Sequence, residues 1–372
     1  MQVTLERSNL LKALNHVHRV VERRNTIPIL SNVLLRAEAG GLMLKATDLD
    51  LEIQEKVPAE VGSEGGTTVA AQTLYDIVRK LADGAEVSLE TDTEGRTLAV
   101  KSGRSNFSLQ VLPEVDFPDL TVGEFQVSFH IAGDDLRGLI DRTQFAISTE
   151  ETRYYLNGIY LHLVTVGDAK MLRAVATDGH RLAQAQLPAP AGLDTMPGII
   201  VPRKTVGELQ KLLDGAEGDV AVEVSDNKIR ARIGEVVLTS KLIDGTFPDY
   251  VRVIPQGNDK ILKVERGAFS DAVDRVSTVA SERGRAVKLA LADGNLVLSV
   301  NNPDSGTATE ELGVDFDADP IEIGFNAKYL LDISAQLKSG SAVFKLADPG
   351  SPTLIQDDED ANALFVLMPM RV

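Results

Sequence analysis

Thr177-Asp178-Gly179-His180-Arg181 places a carboxylate, an imidazole and a guanidinium within four residues. Such a set could move a proton or orient a nucleophile. An enzyme built on it would use Asp178, His180 and Arg181 in a cleft between domains. The rest of the chain supplies no companion: no Walker loop, no nucleophile elbow and no H-x-x-H ligand spacing. Asp-Gly is also a turn pair, and Thr47-Asp48-Leu49-Asp50 occupies the equivalent place earlier in the chain without any histidine. A catalytic element is expected once, so a turn is the stronger reading. Asp357-Asp358-Glu359-Asp360 could hold a hard cation, but an exposed solubilising loop is the expectation. His16 and His18 are two apart on a helix and face different ways, and no Gly-Asp pair sits in an EF-hand spacing. No metal and no cofactor is expected.

The equivalence of those two Thr-Asp turns is part of a repeat. Phe117-Pro118-Asp119 returns as Phe247-Pro248-Asp249, Ala46-Thr47-Asp48 as Ala176-Thr177-Asp178, and Val57-Pro58-Ala59 as Leu187-Pro188-Ala189, each pair 130 residues apart. A fainter third copy places Phe269 and Val273 like Leu10 and Leu14, or Leu136 and Ile140. It also aligns Asn326-Ala327-Lys328-Tyr329 with Ala71-Gln72-Thr73-Leu74. A period this long exceeds solenoid units of about 20–50 residues, so each copy is a whole domain. The expected domains are 1–122, 123–254 and 255–372, joined by proline-containing linkers from Pro113 and from Pro248.

Each unit repeats a short alternating strand, a helix, several strands with hairpin turns, a second helix and more strands. Six amphipathic helical stretches are expected: 7–23, 72–82, 134–147, 203–213, 266–280 and 326–338. Two helices segregated on antiparallel sheet in each unit make the fold class α+β. The chain has no cysteine, which excludes disulfides and thiolate sites and fits a reducing cytosol. No apolar run reaches the 18 or so residues of a membrane span, and the charged first residues argue against export.

A net charge of −17 argues at first against a nucleic-acid partner. The six helical stretches, however, hold 15 Lys and Arg against 9 Asp and Glu, while the remainder holds 23 against 46. Solvated helix faces would explain that contrast as well as a polyanion would. The apolar C-terminal run Phe365-Val366-Leu367-Met368-Pro369-Met370 reads either as a last core strand or as part of a docking surface. Pro369 should take the final residues out of the sheet.

Together these residues resemble the bacterial DNA polymerase III beta subunit, the beta sliding clamp family. The resemblance covers the whole length. It rests on Thr26-Ile27-Pro28-Ile29-Leu30, Ala46-Thr47-Asp48, Arg153-Tyr154-Tyr155-Leu156-Asn157-Gly158, Ala176-Thr177-Asp178-Gly179-His180-Arg181-Leu182, Val201-Pro202-Arg203-Lys204, Phe247-Pro248-Asp249-Tyr250 and Met368-Pro369-Met370-Arg371.

The resemblance implies three repeated clamp domains and a head-to-tail homodimer closing a ring around duplex DNA, without base readout. It implies no enzymatic activity and no membrane association. The partners it implies are the replicative polymerase, the clamp loader and other proteins carrying clamp-binding peptides. For DNA it implies Lys12, Arg24, Arg79, Arg137, Arg203 and Lys204. For a partner-peptide pocket it implies Leu156, Thr177, Gly179, His180, Arg181, Leu182, Pro248, Arg252 and Val253, with Asn326, Tyr329, Val366, Met368, Pro369, Met370 and Arg371 from the third unit. For the subunit join it implies Phe107 and Leu109 against Thr278 and Val279. Two positions depart from the pattern: Glu150 stands for a Gln implied near DNA, and Gly284 for an aromatic at the pocket rim. The rival readings are the enzyme above and a triplicated adaptor scaffold with no DNA role.

Overall fold

The computed structural model describes residues 1–22, 26–120, 123–280 and 285–371. All six expected helices form: α1 (Arg7–Val17), α2 (Ala71–Val78), α3 (Gly133–Asp141), α4 (Arg203–Leu213), α5 (Arg266–Ser277) and α6 (Ala327–Ser334). They bury residues at helical spacing, as Leu10, Ala13, Leu14 and Val17 of α1 or Phe269, Ala272, Val273 and Val276 of α5 illustrate. Several are shorter than the amphipathic stretches. α1 gives way to a 3-10 turn at His18–Val20, and α6 stops well before Lys338.

The repetition is visible in hydrogen bonds. In each copy the first residue of the leading helix donates its N–H to the turn after the second helix. The pairs are Arg7 to Ala85 at 2.8 Å, Gly133 to Gly218 at 3.1 Å and Arg266 to Gly340 at 2.8 Å. Helix starts otherwise leave orphan N–H groups, and α5 and α6 satisfy theirs with the Glu265 carboxylate and the Asn326 side chain.

The chain gathers into two compact units: residues 1–133, 191–193 and 211–242, and residues 134–190, 194–210 and 243–372. The first unit holds a 13-stranded antiparallel sheet, continuous because Leu51–Val57 pairs with Val236–Lys241, with Ile53 opposite Leu238. The second holds a nine-stranded sheet, continuous because Arg181–Pro188 pairs with Ala363–Leu367, and a separate four-stranded sheet. The middle copy therefore gives strands to both units. In the first unit α1 packs on α2, and in the second α5 packs on α6. The strand Ala286–Ala292 alternates strictly, with Val287, Leu289 and Leu291 buried.

Candidate functional site

The Thr177–Arg181 turn is closed by its own side chains. The Asp178 carboxylate accepts the N–H groups of His180 at 2.9 Å and Arg181 at 3.1 Å, and Thr177 Oγ1 donates to the Arg181 carbonyl at 2.7 Å. Asp48 does the same for Asp50 and Leu51, and Thr47 Oγ1 for the Leu51 carbonyl. The left-handed position is Leu49 at φ 79° in one copy and Gly179 at φ 89° in the other. Asp178 is thus committed to holding a turn.

Beside this turn lies a cavity of about 300 Å³. Its buried part is Leu156, Leu182, Tyr250 and Val366, members of one apolar cluster with Val175, Phe247 and Leu354. Its rim is open: Val253 is 54% and Met368 is 43% exposed. Of the two parts foreseen for the C-terminal run, the core strand is present. Ala363–Leu367 is a core strand, and Met368 then leaves the sheet, its N–H donating to the His180 carbonyl at 2.9 Å. Met370 makes one isolated bridge to Gly324.

Tyr250 is held from behind. Its hydroxyl lies 3.1 Å from His162 Nε2 and accepts from Arg173 Nη1 at 3.0 Å. Burial, with the nearby Arg173 cation, pushes the His162 pKa down to about 4, so this ring is neutral near pH 7. A neutral imidazole can share a hydrogen bond with the hydroxyl without placing a second cation beside Arg173.

The sixteen residues implied for the pocket are not all in one place. Leu156, Thr177, Gly179, His180, Arg181, Leu182, Pro248, Val253, Val366 and Met368 line this cavity. Arg252 is exposed next to it and pairs with Asp249 at 2.7 Å. Asn326 caps α6, accepting from the Lys328 N–H at 2.9 Å, and Tyr329 lies under the Arg181 guanidinium, 4.2 Å from its ring centre. Pro369, Met370 and Arg371 line a different open cleft of about 860 Å³ with Lys288, Ser299, Asn301 and Glu322, because the tail turns away at Met368. Arg153, Tyr155, Asp249 and Tyr250 also line the first cavity and were absent from the implied set. Their signal lay in the motifs Arg153-Tyr154-Tyr155-Leu156 and Phe247-Pro248-Asp249-Tyr250.

Arg181 is buried, and its guanidinium points into the protein. It donates to Asp178 at 3.1 Å, to Asp332 of α6 at 2.6 Å and to the Phe145 carbonyl at 2.6 Å. Such a side chain shapes the cavity wall and leaves little to offer a ligand.

Among the basic positions, Lys12 on α1 and Arg203 at the start of α4 are exposed. Arg79 follows α2 and pairs with Asp76 at 2.9 Å, and Arg137 of α3 pairs with Asp141 at 3.4 Å. Lys204 is half-buried beside Arg203, and Arg24 lies outside the described residues, as does Gly284. Phe107 and Leu109 stand on Ser105–Leu112, a mostly exposed strand paired along one side, with only Val111 and Leu112 paired on the other. Thr278 and Val279 follow α5, where Asn302 Nδ2 donates to the Val279 carbonyl at 2.9 Å. The acidic run is engaged internally: Asp357 accepts from the Lys338 and Ser339 N–H groups, Asp358 pairs with Lys263, and Asp360 with Arg142. Burial would raise the Asp357 pKa, but these hydrogen bonds outweigh it and hold it at about 2.

A curated relative from Caulobacter vibrioides, a beta sliding clamp, is 52% identical over 372 residues and is covered completely by this chain, as this chain is by it. The chain belongs to the beta sliding clamp family. Its three thirds match the N-terminal, central and C-terminal domains of the DNA polymerase III beta subunit over residues 1–121, 130–249 and 251–371. The Escherichia coli beta sliding clamp is 40% identical over the full length of both chains. A clamp from Bartonella birtlesii solved bound to griselimycin has a TM-score of 0.97 at 56% identity, with both chains fully covered. Membership makes this sliding clamp a non-catalytic subunit of the replicative polymerase, and the enzyme and adaptor readings are set aside. Among the described residues of the clamp, no helix is long and apolar enough to cross a membrane.

Proposed function

We propose that two copies close head to tail around duplex DNA as a cytoplasmic processivity ring, with domains 1–122, 123–254 and 255–372. The polymerase, the loader and other partners dock through short peptides. The observation that carries the docking reading is the preformed apolar cavity between the Thr177–Arg181 turn and Met368, with a buried floor and an open rim. A rigid apolar pocket suits one or two anchor side chains of an extended segment, which usually supply most of such binding energy. A clamp of the same family from Bartonella birtlesii has been solved bound to griselimycin, so a member of the family takes such a ligand.

The DNA contacts in this reading are Lys12, Arg24, Arg79, Arg137, Arg203 and Lys204, reaching phosphates. The excess of basic residues in the helical stretches over the strongly acidic remainder favours that assignment. Phe107 and Leu109 would meet the partner's Thr278 and Val279. The partly unpaired edge of Ser105–Leu112 supports a join there, since such an edge is a template for another chain. The test of docking is calorimetry with a peptide from the cognate polymerase. Deleting Met368–Val372 should abolish binding with the dimer intact, and full affinity after the deletion would reject the groove.

A further inference from the structure

The first and middle repeats build the same junction from opposite chemistry. In both, the strand after the Thr-Asp turn pairs with a strand of the next repeat, and Glu52 lies opposite Thr239 as Leu182 lies opposite Val366. The hairpin register is shared, with Lys45 opposite Gln54 and Val175 opposite Gln184. So is the backbone contact at the turn: Lys241 N–H donates to the Asp50 carbonyl at 2.8 Å, and Met368 N–H to the His180 carbonyl at 2.9 Å. Val175, Leu182 and Val366 belong to the apolar cluster beneath the cavity. The first repeat puts Lys45, Glu52 and Thr239 in those places. Lys45 Nζ lies 3.5 Å from Glu52 Oε1 and 2.8 Å from Asp119 Oδ1, and Glu52 accepts the Leu120 N–H at 3.2 Å. The Lys45 and Glu52 side chains are only 12% and 7% exposed. Burial raises the Glu52 pKa, and Lys45 and the Leu120 N–H offset it only in part. At the rim, Lys241 stands where Met368 does and pairs at 2.9 Å with Asp50, the counterpart of His180.

We propose, resting on the docking reading above, that Lys45 and Glu52 are specificity-determining residues that keep apolar partner segments out of the first junction and confine docking to one site per chain. An apolar anchor seated there would strip the last water from both charges and offer no hydrogen bond in return. The same anchor over Val175 and Leu182 displaces water only from apolar surface. Lys241 and Asp50 extend the exclusion to the rim.

The experiment uses the full-length protein and a synthetic docking peptide from the cognate polymerase. Calorimetry on the wild type should give one peptide per chain. Lys45→Val with Glu52→Leu and Lys241→Met reproduces the middle repeat and removes both buried charges together, so neither is stranded. That variant should bind two peptides per chain, and deleting Met368–Val372 from it should leave one. Should it fail to fold, Lys45→Met with Glu52→Gln keeps the side-chain volumes and should show the second site at about tenfold lower affinity. A folded variant that still binds one peptide per chain would overturn the proposal. Unfolding of both variants would overturn it too, by making the pair a structural support. A wild type that binds no peptide would instead refute the docking reading.

Discussion

Arg181 Nη1 lies 2.6 Å from Asp332 Oδ2, so helix α6 holds the turn that walls the apolar cavity. The guanidinium is also sandwiched between the Phe145 and Tyr329 rings, 5.0 and 4.2 Å from their centres. Removing one member of a buried pair strands the other charge. Arg181→Ala should therefore cost about 3 kcal/mol of stability and weaken peptide binding, whereas Asp332→Asn should cost less because Asp332 keeps some water contact. Urea midpoints and peptide calorimetry on both variants check this. An Arg181→Ala protein of wild-type stability that no longer binds would make Arg181 a direct contact.

Gly179 combines φ 89° with the close approach of Arg153. Gly179→Ala is predicted to destabilise by about 1–3 kcal/mol through backbone strain alone. It should also push the Arg153 side chain, which lines the cavity, away from the turn and lower peptide affinity. Unchanged affinity in a folded Gly179→Ala protein would show that the placement of Arg153 does not matter for binding.

The neutral His162 behind Tyr250 sets a pH dependence. Its folded pKa, about 4, lies below the unfolded value of about 6.5, so the unfolded chain binds the extra proton between those limits. Its contribution is complete above pH 6.5 and is lost as pH falls towards 4, amounting to about 3 kcal/mol at most. Asp357, with a folded pKa of about 2, acts in a lower window and loses its contribution as pH falls through the ordinary carboxylate range towards 2. His162→Gln should flatten the slope between pH 6.5 and 4, read from urea midpoints across pH. A slope unchanged by that substitution would contradict the assignment.

Replacing Lys12, Arg79, Arg203 and Lys204 together by Glu should weaken DNA association. It should also flatten its dependence on salt, by up to about 0.9 in the log–log slope for each phosphate left without its cation. Fluorescence anisotropy across a salt series reads this directly, and an unchanged slope would remove these side chains from the DNA-facing set.

Phe107→Ala with Leu109→Ala should shift the mass by light scattering towards one chain. A head-to-tail join uses two different surfaces, and damage to one leaves no alternative closed assembly. A double variant that remains dimeric at low concentration would misplace the join.

Local order was legible wherever the chain repeats a physical need. The two Thr-Asp turns, the six helices and the strand–helix order all follow from spacing and turn chemistry, and the structure reproduces them. Long-range partners were not legible. Arg181 looks like a surface residue until Asp332, 151 residues away, draws it inward. Tyr250 is fixed by His162 and Arg173, 88 and 77 residues distant, a relation no window of sequence contains. The middle copy's sharing of strands between two sheets depends on edge pairing, Leu238 with Ile53 and Ala183 with Phe365, which alternation alone cannot specify.

In the proposed ring, this chain holds DNA by encircling it. The most direct measurement loads the protein onto a nicked circular plasmid with its clamp loader, removes the loader, and follows retention before and after a single cut linearises the DNA. A ring held by topology should persist on the circle and leave rapidly through the free ends once it is cut. Equal retention on circular and linear DNA would mean that surface contacts hold the protein and that no ring encircles the duplex.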